Sequence, residues 1–171
     1  MRAYMTSGTI EFLRKLEEKY SSLAIRLMYN NKGGLAYYEH PKKAVFQSGR
    51  AYEVLTVVGE IQESGFVVMN HIPVPEESQP VFENRFINRQ HAVETMPGFQ
   101  GFRLLKPKRG NTYVVLTQWA SMKDFDSWKS SASFAEAHKK QTTKPPAHFS
   151  EKPYAATYTM YTEEDDQHQQ S

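Results

Sequence analysis

The order of segments between Phe66 and Tyr161 restricts the fold more than any other feature of the sequence. Phe66-Val-Val-Met-Asn-His-Ile-Pro-Val74 reads as a strand, and a turn rich in Pro, Glu and Ser follows it. Phe82, Phe86, Arg89 and Val93 then recur at steps of four, three and four, which marks one face of a helix that Pro97-Gly98 terminates. Two strands come next, about Phe99 to Lys106 and Thr112 to Trp119. They are joined by Pro107-Lys-Arg-Gly-Asn111, whose glycine and asparagine suit a tight antiparallel hairpin. From Ser121 the chain reads as a helix through Trp128. It is interrupted at Ser130-Ser131 and resumes from Ser133 to Lys140, ahead of Pro145-Pro146. A last strand covers Tyr154 to Tyr161.

Strand, helix, strand, strand, helix, strand is the split βαβ order, so the spacing predicts an α+β, ferredoxin-like sandwich. Helices cover one face of such a sheet. The other face must be buried by a partner or used as a site. The first half offers a cover. Arg2 to Thr6 reads as a strand, Thr9 to Tyr20 as a helix, and Leu23 to Tyr29 and Leu35 to Glu39 as strands around Asn31-Lys-Gly-Gly34. Strand, helix, strand, strand thus occurs twice. We expect residues 1–64 to be a truncated pseudo-repeat whose sheet packs on that of residues 65–162, replacing a second subunit and leaving the chain monomeric. Residues 163–171 read as an acidic disordered tail.

The 171 residues allow one full domain plus a smaller appendage. Net charge is +2, and because Glu163, Glu164, Asp165 and Asp166 are all negative, the remainder stands at about +6. Lys and Arg are spread through both halves with no basic stripe, which argues against a nucleic-acid partner. There is no cysteine, so disulfides, zinc knuckles and thiolate ligation are excluded, and any metal must come through His, Asp, Glu or a cofactor. The start of the chain has no apolar signal core and no apolar run is long enough to cross a bilayer, so no membrane partner and a cytoplasmic location are expected.

Three residues could carry chemistry. Period-two alternation puts Asn70 on the side of Phe66, Val68, Ile72 and Val74, and a polar amide on an apolar face is either satisfied by backbone or offered to a ligand. His138 follows Phe134 by four residues and Ala137 by one, so the three share a helical face, while Lys139 and Lys140 turn away. Its imidazole is either a metal ligand or a partner of the helix C-terminal dipole. Trp128 lies three residues after Phe125, so both rings address one side, as core packing or as a pocket wall. His71 falls on the opposite sheet face from Asn70, and His40, His91, His148 and His168 fall in loops, on the far helix face or in the tail. No phosphate-binding glycine loop, two-histidine zinc helix or nucleophile elbow is present.

Phe82-Glu-Asn-Arg-Phe86, Pro97-Gly-Phe99, Val115-Leu-Thr-Gln-Trp119, Phe125-Asp-Ser-Trp128 and Ser133-Phe-Ala-Glu-Ala-His-Lys139 stand in the order found in IsdG-type heme monooxygenases, and residues 66–161 resemble that family. The first half, including Tyr52-Glu-Val54 and Gly59-Glu-Ile61, resembles the extension of the longer Bacillus HmoB type, a group with relatives described as signalling proteins. The resemblance implies that heme is both cofactor and substrate, with Asn70, Trp128 and His138 as the catalytic set. By the same resemblance His138 is the axial ligand of the heme iron, Asn70 hydrogen-bonds near O2 on the opposite side, and Trp128 presses on the porphyrin. Arg85 and Arg89 match positions near the heme propionates, or else are surface arginines paired with Glu83 or Glu94. Electrons would come from an external donor, a reductase or small reductant, because no flavin or nicotinamide fingerprint is present. The implied products are iron and an opened tetrapyrrole. The alternatives are a heme storage or delivery protein with little turnover, and a cofactor-free quinol monooxygenase.

Overall fold

The computed structural model describes residues 1–87, 93–132, 134–135, 152–162 and 164–165. Its elements are β1 (Arg2–Gly8), α1 (Ile10–Lys19), β2 (Arg26–Asn30), β3 (Gly33–His40), β4 (Arg50–Gly59), β5 (Phe66–Pro73), α2 (Gln79–Ile87), β6 (Phe99–Pro107), β7 (Thr112–Trp119), α3 (Met122–Lys129) and β8 (Tyr154–Met160). In the second half the strands lie in the order β8-β5-β7-β6, the ferredoxin-like order that the sequence predicts. The Pro107–Asn111 turn is a hairpin, with Gly110 at a φ of +82° that favours glycine.

Strands of the first half continue that sheet at both edges. β2 pairs with β8 and β4 with β6, all antiparallel, so the eight strands close a barrel in the order β1-β3-β2-β8-β5-β7-β6-β4. Closure pairs the strands on both sides except where β2 and β8 diverge beyond Tyr29 and Thr159. Alternation then sorts the side chains. Ala3, Met5, Met28, Leu35, Tyr37, Tyr52, Val67, Met69, Leu105, Val114, Leu116 and Met160 fill the interior. On the outside, Tyr4, Leu27, Ala36 and Tyr38 pack under α1 with Leu13, the helix residue that is fully buried. Thr9 starts that helix, its Oγ1 accepting from the N–H of Phe12 at 3.2 Å.

Four sequence expectations are revised. Val93, expected on one helix face with Phe82 and Phe86, lies in the 3-10 turn Val93–Thr95 and packs with Val68 and Trp119. β4 was not expected; it supplies the fourth strand of the first half and one of the two seams that close the barrel. Leu23 does not open a strand, because Ser21–Leu23 forms a 3-10 turn and Ala24 takes the left-handed conformation before β2 begins at Arg26. The two sheets meet through hydrogen-bonded edges as well as through their faces. The helix expected from Ser133 to Lys140 lies for the most part outside the described residues, as does most of the tail. Within the tail, Asp165 Oδ2 accepts from the N–H and the hydroxyl of Thr162 at 2.8 and 3.1 Å.

Arg103 and Gln118, two polar side chains inside the barrel, are both paired. Arg103, 4% exposed, donates from Nε to Glu39 Oε2 at 2.8 Å and from Nη1 to the carbonyls of Val58, Gly59 and Phe102. Glu39 belongs to β3 and Arg103 to β6, so the pair ties the halves together. Gln118, fully buried, accepts from the N–H of Gln62 at 2.6 Å and donates to its carbonyl at 3.0 Å, which pins the segment leading into β5.

Candidate active site

The outer face of β5 carries Phe66, Val68, Asn70 and Ile72, as alternation predicts, and it divides two apolar clusters. On one side of Asn70, Val68 packs with Val93, Trp119, Phe125 and Trp128. On the other, Ile72 packs with Val74, Tyr113, Phe82 and Phe86 of α2. Asn70 lies between them and is exposed, whereas Val67, Val68, Met69 and His71 around it are buried. Its cross-strand neighbours are Val115 on β7 and Ala155 on β8. Ala155, Thr157 and Thr159, on the same face of β8, are exposed too. The bland alternative for Asn70, a buried amide satisfied by backbone, does not hold. The amide is exposed on the strip of sheet between two aromatic banks, the candidate cleft.

Local chemistry fixes the Trp128 bank. Ser121 caps α3, its Oγ accepting from the N–H of Asp124 at 3.2 Å and donating to Asp124 Oδ2 at 2.9 Å. Gly98 has a φ of +82°, and a Cβ there would lie 2.3 Å from the Asp124 carboxyl, so only glycine lets β6 start against α3. The helix stops at Ser130-Ser131, where Ser131 Oγ donates to the Trp128 carbonyl at 2.5 Å and accepts from the N–H of Phe134 at 3.2 Å. Trp128 itself stacks on Trp119 with centroids 5.5 Å apart and planes at 29°, and Phe134 meets it edge-on at 4.8 Å. Trp119 is fully buried and its Nε1 donates to Thr117 Oγ1 at 3.0 Å. Trp128 therefore rests on a rigid base while half-exposed at the cleft.

Arg85 is exposed in the last turn of α2, and Glu83 pairs with Lys106 Nζ at 3.1 Å. Tyr113, beneath α2, stays protonated at any ordinary pH: burial first, and then the charge of Glu83, push its phenol up to about 12. His138 and Arg89 lie outside the described residues. His40 is structural, its Nδ1 accepting from the backbone of Lys42 and Lys43 at 3.1 and 2.9 Å.

One polar group escaped attention as a site residue. His71 points into the barrel, 6% exposed, with Nδ1 unpartnered and its ring stacked on Tyr154 at 4.5 Å and 7°. Burial first, and then the charge of Arg50, lower its pKa to about 4. The available signal was an imidazole alternating with Val67 and Met69 on a face that had to be buried.

The antibiotic biosynthesis monooxygenase family matches residues 65–140, the stretch that holds the cleft. A heme-degrading monooxygenase of Listeria monocytogenes is 30% identical over 130 residues, which cover 76% of this chain and 78% of that protein. The mycobilin-producing heme oxygenase of Mycobacterium tuberculosis is 43% identical over 82 residues, 47% of this chain and 77% of its own. The signal transduction protein TRAP of Staphylococcus epidermidis is 24% identical over 136 residues, 80% of this chain and 81% of its own. Among solved structures, the heme-degrading enzyme LmHde of Listeria monocytogenes superposes with a TM-score of 0.74 at 25% identity, covering 93% of this chain and 99% of that one. The order of strands, the motif positions and these relatives agree: the chain belongs to the antibiotic biosynthesis monooxygenase family and, within it, to the IsdG-type proteins.

Proposed function

We propose that the chain binds heme in the cleft at Asn70 and opens the porphyrin oxidatively, with O2 and an external electron donor, releasing iron. The observation that carries this reading is the exposed Asn70 amide between two aromatic clusters, with Trp128 at its rim. A flat macrocycle with an apolar body fits such walls, and a single amide suits its one polar centre away from the carboxylate edge. Heme, when bound, supplies both a redox metal that activates O2 and the carbon skeleton that is oxidised.

The protein's part is positioning. Asn70 would offer its amide N–H as a hydrogen-bond donor to the polar part of the bound ligand. Trp128, backed by buried Trp119, would give a fixed plane for the macrocycle to pack against. His138 is assigned to hold the heme iron, which it would do through a neutral imidazole nitrogen. Arg85 and Arg89 are assigned to the propionates, whose carboxylates match guanidinium geometry. The first half, joined to the second along both seams, is assigned the place of a second subunit, making the working unit one chain.

Hemin titration of the wild type and of His138→Ala, with Soret spectra before and after ascorbate in air, tests the reading. One hemin per chain, bleaching with iron release, and loss of the ligated spectrum in the variant are expected. Hemin that is ligated but survives ascorbate, beside a competent control enzyme, would establish a carrier instead. Absence of a specific Soret shift would remove heme altogether and turn attention to aromatic quinols.

A further inference from the structure

β5 has two faces, and the inner one borders a second cavity, of about 880 Å³, at one end of the barrel. The wall is incomplete there. Pairing of β2 with β8 stops at Tyr29 and Thr159, and beyond it the strands are bridged by Asn30, whose Nδ2 donates to the Thr157 carbonyl at 3.0 Å. The Asn30–Gly34 turn and Tyr154–Tyr158 form the two sides of the gap, and Met5, Leu35 and Met69 give the cavity an apolar floor.

His71 lies on the inner wall with Nδ1 unpartnered, though the residue is 6% exposed. A buried polar atom without a partner is rare enough to require an explanation. Arg50 stands at the mouth, close to the phenols of Tyr52 and Tyr154, and Lys32 is the second cation of the lining. Among the described residues that line the cavity there is no Asp or Glu.

We propose that this cavity is a binding site for a small organic carboxylate, which enters between β2 and β8, meets Arg50 and His71 through its carboxylate and rests its apolar part on the floor. A guanidinium beside neutral phenols keeps its charge available to an incoming anion, and its fork matches a carboxylate in shape. His71 is neutral at physiological pH, so it donates one hydrogen bond and adds no charge. The stacked rings of His71 and Tyr154 form a flat wall that favours an aromatic acid. This site is separate from the cleft, because Met69 and His71 face inward where Asn70 faces outward.

Amide NMR spectra of the full chain, titrated with benzoate, benzamide and inorganic phosphate, test the assignment. Benzoate is expected to give saturable shifts at the cavity, in Gly8, Gly33, Gly34, Ala156 and Thr157. Benzamide, with the same ring and no charge, should bind at least tenfold more weakly to the wild type, a comparison that needs no variant. Arg50→Gln and His71→Gln should each weaken benzoate, Arg50→Gln by at least tenfold, while hemin titration of Arg50→Gln is unchanged. Unsaturable or scattered shifts, equal binding of benzamide, or phosphate binding as tightly as benzoate would each overturn the proposal. Loss of hemin binding in Arg50→Gln would overturn the separation of the two sites.

Discussion

At the scale of single residues, β5 shows how one step along a strand changes a side chain's role. Asn70 was legible because alternation marks a polar residue in an apolar row, and Trp128 because Phe125 precedes it by three on the same helical side. His71 obeys the same rule on the other face, yet its orphaned nitrogen was invisible, since that depends on where β2 and β8 part company. Its buried, neutral state has a consequence for stability. The folded pKa of about 4 lies below the 6.5 of an unperturbed imidazole, so between these values the unfolded chain binds more protons than the folded one. Stability contributed by neutral His71 is complete above pH 6.5 and falls as pH drops towards 4. The full shift corresponds to about 3 kcal/mol, and water in the open cavity screens part of it, leaving an expected loss of about 1–2 kcal/mol. Urea unfolding from pH 7 to 4 should show this loss in the wild type and a flatter profile in His71→Gln. Parallel profiles would show that His71 does not titrate in this range.

Between elements, the Arg103–Glu39 pair is the polar link most sensitive to change. Arg103 lies 4% exposed on β6 and satisfies carbonyls at the end of β4, while its carboxylate partner stands on β3, far away in sequence. Removing the guanidinium leaves Glu39 beside a barrel interior without a counter-charge, at a cost of about 3 kcal/mol. Arg103→Ala should therefore lower the Tm by roughly 6–12 °C in a chain of this size. Glu39→Leu combined with Arg103→Met should recover part of it, since an apolar pair removes the uncompensated charge. A double variant no better than the single one would assign the loss to Arg103's bonds with Val58, Gly59 and Phe102. Strands of the second half were legible to within a residue at each end, because turn signals bound them, whereas Val93 was expected on the helix face of Phe82 and Phe86 and lies instead in a 3-10 turn. β4 was not, and its bulge explains why. Tyr52 and Val54 face inward, the register shifts between Val54 and Thr56, and Val58 then packs outward against the cluster under α2, so no single period runs through the strand. The ion pair itself could not be foreseen either, as neither partner lies near the other in sequence.

For the whole molecule, barrel closure joins two sheets that would each be incomplete alone. A piece spanning residues 61–171 would keep β5 to β8 and lose the partners of β6 and β8 along both seams. It would also uncover Val67, Met69, Leu105, Val114, Leu116 and Met160, all buried against the first half in the intact barrel. At roughly 1.5–3 kcal/mol for each apolar side chain returned to water, that exposure costs on the order of 10 kcal/mol, comparable with the entire stability of a domain. A two-fold pairing restores the loss, because the β6 edge of one copy can pair with an equivalent edge of another and the two inner faces can cover each other. Light scattering after size exclusion should give the full chain at its monomer mass of 19.7 kDa and the piece at twice its own mass. A full chain that elutes as a dimer would show that residues 1–64 do not complete the unit. A piece that stays monomeric and folded would show that the inner face needs no cover, and the reading of the first half as an internal second subunit would fall with it.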